Sequence, residues 1–229
     1  MSIQYEKKTT TLLQETGVKI VTTETARDHA LEVLHAIYCR EKKWMDSAEI
    51  LFEPHELYEP NYLWLVAYER NRPIGVVRLY IGRQAEALDL KHLHFLHADW
   101  NASALTHFLE YHPTAEIGRF AILPEYRNRS RFALMLMQVA CENAIRHHCH
   151  HLLTDVFHGD PQSPFDFHTN VLGFEPFATY VDDRFDSVYP SVLLLLDIKK
   201  TYARMKTHQP RMFKVFTQNW TTSFHAQLT

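Results

Sequence analysis

The segment that most restricts the fold runs from residue 115 to residue 145 and reads AEIGRFAILPEYRNRSRFALMLMQVACENAI. Its first part, Glu116 to Leu123, is mostly apolar and stops at Pro124, which predicts a strand because proline cannot continue a ladder of hydrogen bonds. From Phe132 to His147 apolar side chains recur at helical spacing, which predicts a long helix with one apolar face. A strand followed at once by such a helix indicates a sheet with a helix packed on it.

Further elements are predicted on both sides of this segment. A capped helix begins near Thr23 or Thr25, and the turn from Glu69 to Pro73 joins two strands as a hairpin. Residues 84–112 are expected to form an irregular or partly helical insertion. The order predicts the α/β class with a mixed (α+β) sheet and helices on its faces, not a doubly wound sheet. The other predicted strands are 18–22, 63–68, 74–81, 152–157, 177–181 and 188–197, and a second short helix is 165–172.

Length and composition bound the class of protein. The chain has 229 residues, of which 46% are hydrophobic and 22% charged, as in ordinary globular domains. A net charge of -3 gives no overall field that favours nucleic acid. We therefore expect one domain at 18–197, with a tail at 1–17 and an extension at 198–229.

The sequence also indicates the cellular compartment of the protein. The first residues are polar and the most apolar run, Val192 to Leu196, is too short for a bilayer, so neither a signal peptide nor a transmembrane segment is expected. Three cysteines, Cys39, Cys141 and Cys149, fit free thiols in a reducing cytoplasm. The predicted location is cytoplasmic.

The start of the long helix is the first candidate site. A helix N-terminus offers unpaired backbone N–H groups and a positive dipole, both of which suit phosphate. Arg127, Arg129 and Arg131 add positive charge at the same place. A phosphopantetheine thioester would fit there, and a solvated arginine turn is the alternative.

This segment, with the order of its elements, resembles the GNAT superfamily of acyltransferases. The resemblance implies that the strand and the loop after it bind a thioester donor, acyl-CoA or acyl-phosphopantetheine on an acyl carrier protein. The family loop reads Gln/Arg-x-x-Gly-x-Gly/Ala, whereas residues 127–132 keep the first arginine and have no glycine. The residues implied in donor binding are Phe120, Ala121, Ile122, Arg127, Asn128, Arg129, Ser130 and Arg131.

A narrower resemblance covers about residues 18–197. Long-chain N-acyl amino acid synthases and acyl-homoserine-lactone (autoinducer) synthases share a first helix that leads to a tryptophan, here Trp44, and an acidic stretch, here with Glu53 and Glu56. They also share Gly-x-x-Arg-Leu, matched by residues 75–79, and Glu-x-x-Arg-Phe, matched by residues 116–120. Leu34 replaces the arginine that the lactone synthases have in the first helix, so lactone formation is not implied.

Three residues are the candidates for the chemistry. Glu116 would accept the proton that an amine loses as it attacks the thioester, and its alternative is a salt bridge to Arg119 or Arg78. In a regular strand Glu116 and Arg119 face opposite ways, and a bulge would change this. Arg78 and Arg119 would order the site or bind an acceptor carboxylate, and structural pairing with Glu53, Glu56 or Glu116 is equally open. Backbone N–H groups at residues 120–122 could stabilise the oxyanion.

Other side chains are expected around the acyl chain and the departing thiolate. Thr169 stands where many family members have a tyrosine acid, so the thiolate leaves unassisted or uses His168 or a nearby tyrosine. The substrate site is thus expected to include Trp44, Glu53, Glu56, Phe157 and His168. Plain core packing is the alternative for the aromatic residues. The phenylalanines expected near an acyl tunnel are Phe120, Phe157, Phe165, Phe167, Phe174 and Phe177.

Histidine runs suggest zinc only weakly. Residues 146–151 read RHHCHH at a predicted helix end, where adjacent side chains point different ways and no second ligand pair completes a tetrahedral site. His92, His94 and His97 receive the same interpretation, so no metal is expected. Cys149 has no evident activating base, which argues against a thiol nucleophile.

Together these features predict an N-acyltransferase that moves an acyl chain from an acyl carrier protein or acyl-CoA to the amine of an amino acid or similar small molecule. Two alternatives stay open: an acetyl-CoA-dependent N-acetyltransferase of a small amine or protein, and a non-catalytic module that binds acyl thioesters.

Overall fold

The computed structural model describes residues 16–82, 92–181 and 185–229. The strands are β1 (Gly17–Ile20), β2 (Tyr62–Glu69), β3 (Arg72–Tyr80), β4 (His94–Phe95), β5 (Thr114–Ile122), β6 (His151–Phe157), β7 (Glu175–Tyr180) and β8 (Ser191–Asp197). The α-helices are α1 (Glu24–Leu34), α2 (Ala102–Tyr111), α3 (Pro124–Arg127), α4 (Ser130–Arg146), α5 (Ile198–His208), α6 (Pro210–Thr217) and α7 (Thr222–Ala226). Helix α1 continues as a π-helix over His35–Glu41, and a second π-helix covers Phe167–Leu172.

The described strands form one sheet in the order β1-β2-β3-β5-β6-β8-β7-β4. Strands β5 and β6 pair in parallel and the other neighbours pair antiparallel. Helices cover both faces, so the predicted α/β class with a mixed sheet is confirmed.

Two large apolar clusters hold the helices on the sheet. On one face, α4 buries Phe132, Leu136 and Ala140 against alternate residues of β2, β3 and β5. On the other face, α1 buries Val33 and Leu34 beside Trp64 and its neighbours on the sheet. The side-chain alternation of strands thus separates the two layers.

Local signals explain several boundaries. Thr23 caps α1, because its hydroxyl accepts a hydrogen bond from the backbone N–H of Ala26. The hairpin turn consists of Arg70 and Asn71, with φ of 52° and 66°. It is therefore shorter than the predicted five-residue turn, and Pro73 lies inside β3, because a two-residue turn with positive φ matches the twist of the strands.

The region predicted as an irregular insertion is more regular than expected. Residues 83–91 lie outside the described part of the chain, but His94 and Phe95 form the edge strand β4 against β7. The ten-residue helix α2 follows and buries Leu105 in a third apolar cluster. Asn101 caps this helix through Ala104, a signal that sequence reasoning overlooked.

The residues after 197 form three helices. Tyr202, Met205, Phe216 and Phe224 are buried in the same apolar cluster as α4. The segment therefore packs on the sheet-and-helix core. Within the described residues, no helix is long and apolar enough to cross a membrane.

Candidate active site

The site begins where two neighbouring strands separate. Parallel pairing of β5 with β6 covers only Thr114–Ile117 and His151–Thr154. Beyond that point β5 stays bonded to β3 as far as Ile122, and β6 stays bonded to β8 as far as Phe157. The two strands therefore open into a cleft toward their carboxyl ends, and backbone groups of β5 face the cleft without a neighbouring strand.

A cavity of about 290 Å³ occupies this cleft. The second half of β5 forms one wall, the first turn of α4 lies at one end, and aromatic rings close the other. The lining residues that the sequence singled out are Trp44, Phe120, Ala121, Ile122, Arg127, Ser130, Phe157 and Phe167. The structure thus brings most of the predicted donor residues together with two of the predicted substrate residues.

A β-bulge in β5 sets which side chains face which way. The pairing of β3 with β5 shifts between Val76 and Arg78, and Arg119 has φ of 54°. Phe120 then stacks on Phe167, while Arg119 lies over the ring of Phe185 on the α1 side. Because the bulge absorbs one residue, Arg119 shares the α1 side with Glu116 instead of opposing it.

The α1 side of the sheet holds a compact ionic cluster. Nη2 of Arg78 donates to Oε1 of Glu116 at 2.6 Å, and Nη1 lies 3.5 Å from Oε1 of Glu56. The three side chains are only 8–18% exposed. Burial lowers the pKa of Arg78, but the two carboxylates outweigh burial and hold the pKa above its usual value. One guanidinium is therefore shared by two buried acids.

Glu56 and Glu53, both predicted at the substrate site, have different surroundings. Burial raises the pKa of Glu56, although Arg78 and a hydrogen bond from Nε1 of Trp64 at 2.9 Å oppose this. Glu53 is 57% exposed and pairs with His55. The structure thus places Glu56 in the ionic cluster and Glu53 on the surface. Glu53 precedes the 3-10 turn at Pro54–Leu57, whereas Glu56 is a buried residue within it.

Gly118 leaves room for the ionic cluster. A Cβ atom at this position would lie 3.2 Å from both Nη2 of Arg78 and Oε1 of Glu116. A side chain at position 118 would push the guanidinium of Arg78 away from the carboxylate of Glu116. Glycine at this position therefore keeps the Arg78–Glu116 geometry.

The arginines around the start of α4 all pair with acids. Arg127 donates to both carboxylate oxygens of Glu41 at 2.6 Å, and Arg129 and Arg131 both pair with Glu69. Acids distant in sequence thus fold onto the loop and offset part of the positive charge that the sequence places there. The exposed Asn128 lies at the C-cap of α3. No side-chain hydrogen bond caps α4, and Ser130 and Ala133 of its first turn line the cavity.

A second ion pair closes the cavity wall and was not predicted. Nζ of Lys42 donates to both oxygens of Asp160, at 2.9 and 2.6 Å, and both side chains are nearly buried. Lys42 also lies 5.3 Å from the ring of Trp44. The partners are separated by 118 residues, so local sequence patterns contain no signal for the pair.

His168 is buried and neutral. Burial lowers its pKa to about 4, and Nδ1 donates to the carbonyl of Pro164 at 2.9 Å, which leaves Nε2 as a bare acceptor without a partner. Thr169 donates to the carbonyl of Phe165. A neutral ring whose only proton is already donated cannot protonate a thiolate, so the structure argues against His168 as that acid. Tyr38 is the tyrosine among the cavity-lining residues.

The buried histidine predicts a loss of stability in acid. Between pH 6.5 and about 4 the unfolded state holds a proton on His168 that the folded state does not, so acidification favours unfolding. His168 should contribute about 3 kcal/mol to this loss. Urea unfolding across this pH range should show a flatter profile for His168→Leu than for the wild type. Parallel profiles would contradict the assignment of a neutral buried ring.

Other reactive groups lie away from the cleft. Burial raises the pKa of Cys141 to about 12 and that of Cys149 to about 11, which suits packing rather than nucleophilic attack. Phe177 packs with Trp100 in the third cluster and does not line the cavity of the cleft. Across the described ranges, no group of three His, Cys, Asp or Glu could hold a metal ion.

Comparison with known proteins fits this geometry. The model of the acetyltransferase (GNAT) family matches residues 30–174, which include the end of α1, the cleft and the β5–α4 segment. The chain therefore belongs to the GNAT family and is an acyltransferase. No curated protein matches the chain.

Solved structures show the same fold. FeeM, an N-acyl amino acid synthase from uncultured soil microbes, is 15% identical with a TM-score of 0.64, covering 85% of this chain and 97% of FeeM. BjaI, a CoA-dependent acyl-homoserine lactone synthase, is 14% identical with a TM-score of 0.51, covering 89% of each chain. Aminoglycoside 6'-acetyltransferase type Ii is 11% identical with a TM-score of 0.52, covering 79% of this chain and 96% of the other. At these identities the likeness concerns the fold.

Proposed function

We propose that the protein transfers an acyl chain from a carrier-borne thioester to the amine of an amino acid or a similar small acceptor. The observation that supports this most is the opening between β5 and β6, together with the ionic cluster that Glu116 of β5 forms with Arg78 of β3 and with Glu56. The cleft offers backbone groups to the donor, and the ionic cluster offers a base and a guanidinium to an acceptor. The proposed location is the cytoplasm.

In the proposed step, the acceptor nitrogen attacks the thioester carbonyl. A C–N bond forms, the C–S bond breaks, and the amine proton passes to Glu116 directly or through water. Backbone N–H groups of residues 120–122 stabilise the oxyanion of the intermediate. The thiolate leaves without an acid from His168 and takes its proton from solvent.

Arg119 and Arg78 would then orient the acceptor. Arg119 lies over Phe185, whose ring also contacts Trp44 and Phe157 of the cavity wall. The Nε atom of Arg119 is buried and has no hydrogen-bond partner among the described residues. A guanidinium at the border of an aromatic wall suits an amino acid carboxylate, because the planar group can bind both oxygens.

The pairing of the loop arginines favours a donor with little phosphate charge. Arg127 pairs with Glu41, and Arg129 and Arg131 share Glu69, so a CoA pyrophosphate would have to compete with these acids. A phosphopantetheine group on a carrier protein has one phosphodiester, so it requires less positive charge from the loop. The loop also has no glycine that would let the backbone wrap closely around a pyrophosphate.

Releasing the arginines should change donor preference. We expect Glu41→Gln with Glu69→Gln to lower the KM for acyl-CoA about tenfold, because a freed charge-assisted hydrogen bond contributes roughly 1.5 kcal/mol. The KM for the acyl carrier protein should change much less. Glu125→Gln, which alters an exposed acid beside the same loop, is the control. An unchanged ratio of the two KM values would argue against this role of the pairs.

Acetyl transfer from acetyl-CoA is the second candidate, favoured by the family match and by the acetyltransferases with this fold. Purified protein should be mixed with acetyl-, medium- and long-chain donors, on CoA and on carrier, and with a panel of amino acids. Amide products read by mass spectrometry from long-chain carriers support the proposal. Acetylated products alone select the second candidate, and acyl binding without product supports a non-catalytic module.

A further inference from the structure

The last 32 residues differ in charge from the rest of the chain. Residues 198–229 contain six lysines and arginines and no aspartate or glutamate. The whole chain has 24 basic and 27 acidic residues, so residues 1–197 have a net charge of -9. Positive charge is therefore concentrated in the segment that folds as α5, α6 and α7.

Helices α5 and α6 direct this charge outward. In α5, Tyr202 and Met205 face the core, while Lys199 and Lys206, which lie two turns apart on one stripe, are exposed. In α6, Phe216 is buried, while Arg211 and Lys214 are exposed three residues apart. A single residue, Gln209, separates the two helices. We call the exposed residues Lys199, Lys206, Arg211, Lys214 and Val215 of these two consecutive helices the basic face.

The charges of the basic face are not matched within the described chain. No carboxylate of the described residues forms an ion pair with Lys199, Lys206, Arg211 or Lys214. The loop arginines near the cleft differ in this respect, since each of them pairs with an acid. An unmatched basic surface on a chain of net negative charge suits an anionic partner.

The basic face also carries exposed apolar surface. Val215 is 47% exposed and adjoins Lys214, and Met212 of the same helix is partly exposed. Basic side chains that surround apolar ones on a short amphipathic helix are typical of segments that bind the surface of a bilayer. A docking surface for a soluble acidic protein does not require exposed apolar side chains such as Val215.

The position of the basic face leaves the cleft open. Helix α4 meets the cleft at Ser130, its first residue, and extends about 25 Å over 17 residues. The C-terminal helices contact its later part, where Trp220 donates to Glu142 and Arg146 lies over Phe224. A partner on the basic face would therefore not block the entry of a donor at Ser130.

We infer that the basic face binds the surface of anionic lipid bilayers as a peripheral contact. The benefit of such a contact rests on the proposed function, because an amide of a long acyl chain and an amino acid is an anionic amphiphile that partitions into membranes. Binding would place the enzyme where its product goes. The contact itself depends on the charges and on Val215, and does not require catalysis.

Sedimentation with vesicles tests the inference without any activity measurement. The full-length protein should bind vesicles that contain phosphatidylglycerol at 0.1 M salt, and should not bind pure phosphatidylcholine vesicles. Reversal of three charges, Lys206→Glu with Arg211→Glu and Lys214→Glu, should lower the partition coefficient on the order of a hundredfold. Val215→Ser should lower it by a few fold.

The control reverses two exposed charges elsewhere, Arg40→Glu with Arg72→Glu, and should keep most of the binding. Unchanged far-ultraviolet circular dichroism of each variant excludes unfolding as the cause. Equal binding to both vesicle types, or equal loss in the control and the triple variant, would overturn the inference. Binding of an acidic acyl carrier protein that depends on Lys206, Arg211 and Lys214, with no vesicle binding, would overturn the lipid assignment as well.

Discussion

Glu116→Gln should lower kcat by about 100-fold or more while the protein stays folded, because an amide cannot accept the proton of the attacking amine. The substitution keeps the shape of the side chain, and its carbonyl oxygen can still accept the hydrogen bond from Arg78. Steady-state assays with saturating donor and acceptor measure the change.

A matched control distinguishes the loss of a general base from the loss of a negative charge elsewhere on the protein. Glu125→Gln removes an exposed acid that pairs with Arg72 on the neighbouring strand, and it should leave kcat within a factor of two. If Glu116→Gln retains more than a tenth of the wild-type kcat, Glu116 serves only as the partner of Arg78. The salt-bridge alternative would then stand.

Arg78→Leu should have the largest effect on stability, about 3–5 kcal/mol, because it leaves Glu56 and Glu116 in a buried site without their shared cation. Chemical denaturation at neutral pH measures the loss. Acidification should recover part of it, since protonation removes the buried negative charge of Glu56, whose pKa burial already raises.

Arg72→Leu is the control for this prediction. Arg72 also pairs with a glutamate, Glu125, but both side chains are more than half exposed, so the loss should stay below about 1 kcal/mol. Equal losses in Arg78→Leu and Arg72→Leu would contradict the assignment of a buried cluster. A large loss only in Arg78→Leu would support it.

Local patterns predicted the fold well. Proline after the apolar run placed the end of β5, Thr23 placed the start of α1, and the apolar spacing from Phe132 placed α4. These features depend on neighbours in sequence, where capping and periodicity act. The edge strand β4 was missed because two residues give no periodicity.

Contacts between distant segments limited the prediction of the site. The motifs placed Glu116, Arg78 and Glu56 in one group, and the structure brings these three together. The sequence could not show that Glu41 and Glu69 pair with the loop arginines, or that Lys42 pairs with Asp160, because each pair spans between 60 and 118 residues and depends on tertiary packing. Likewise, only the backbone of β5 shows that the bulge turns Arg119 toward the side of Glu116.

Acyl transfer to an amine at β5 requires that thiol release and amide formation be coupled. Release of free thiol from a long-chain acyl carrier and formation of amide by mass spectrometry should be followed in the same reaction, with wild type and Glu116→Gln compared. One amide should form for each thiol released, and both rates should fall together in the variant. Thiol release that occurs without an amide product, or that is the same in both proteins, would contradict acyl transfer to an amine at this strand.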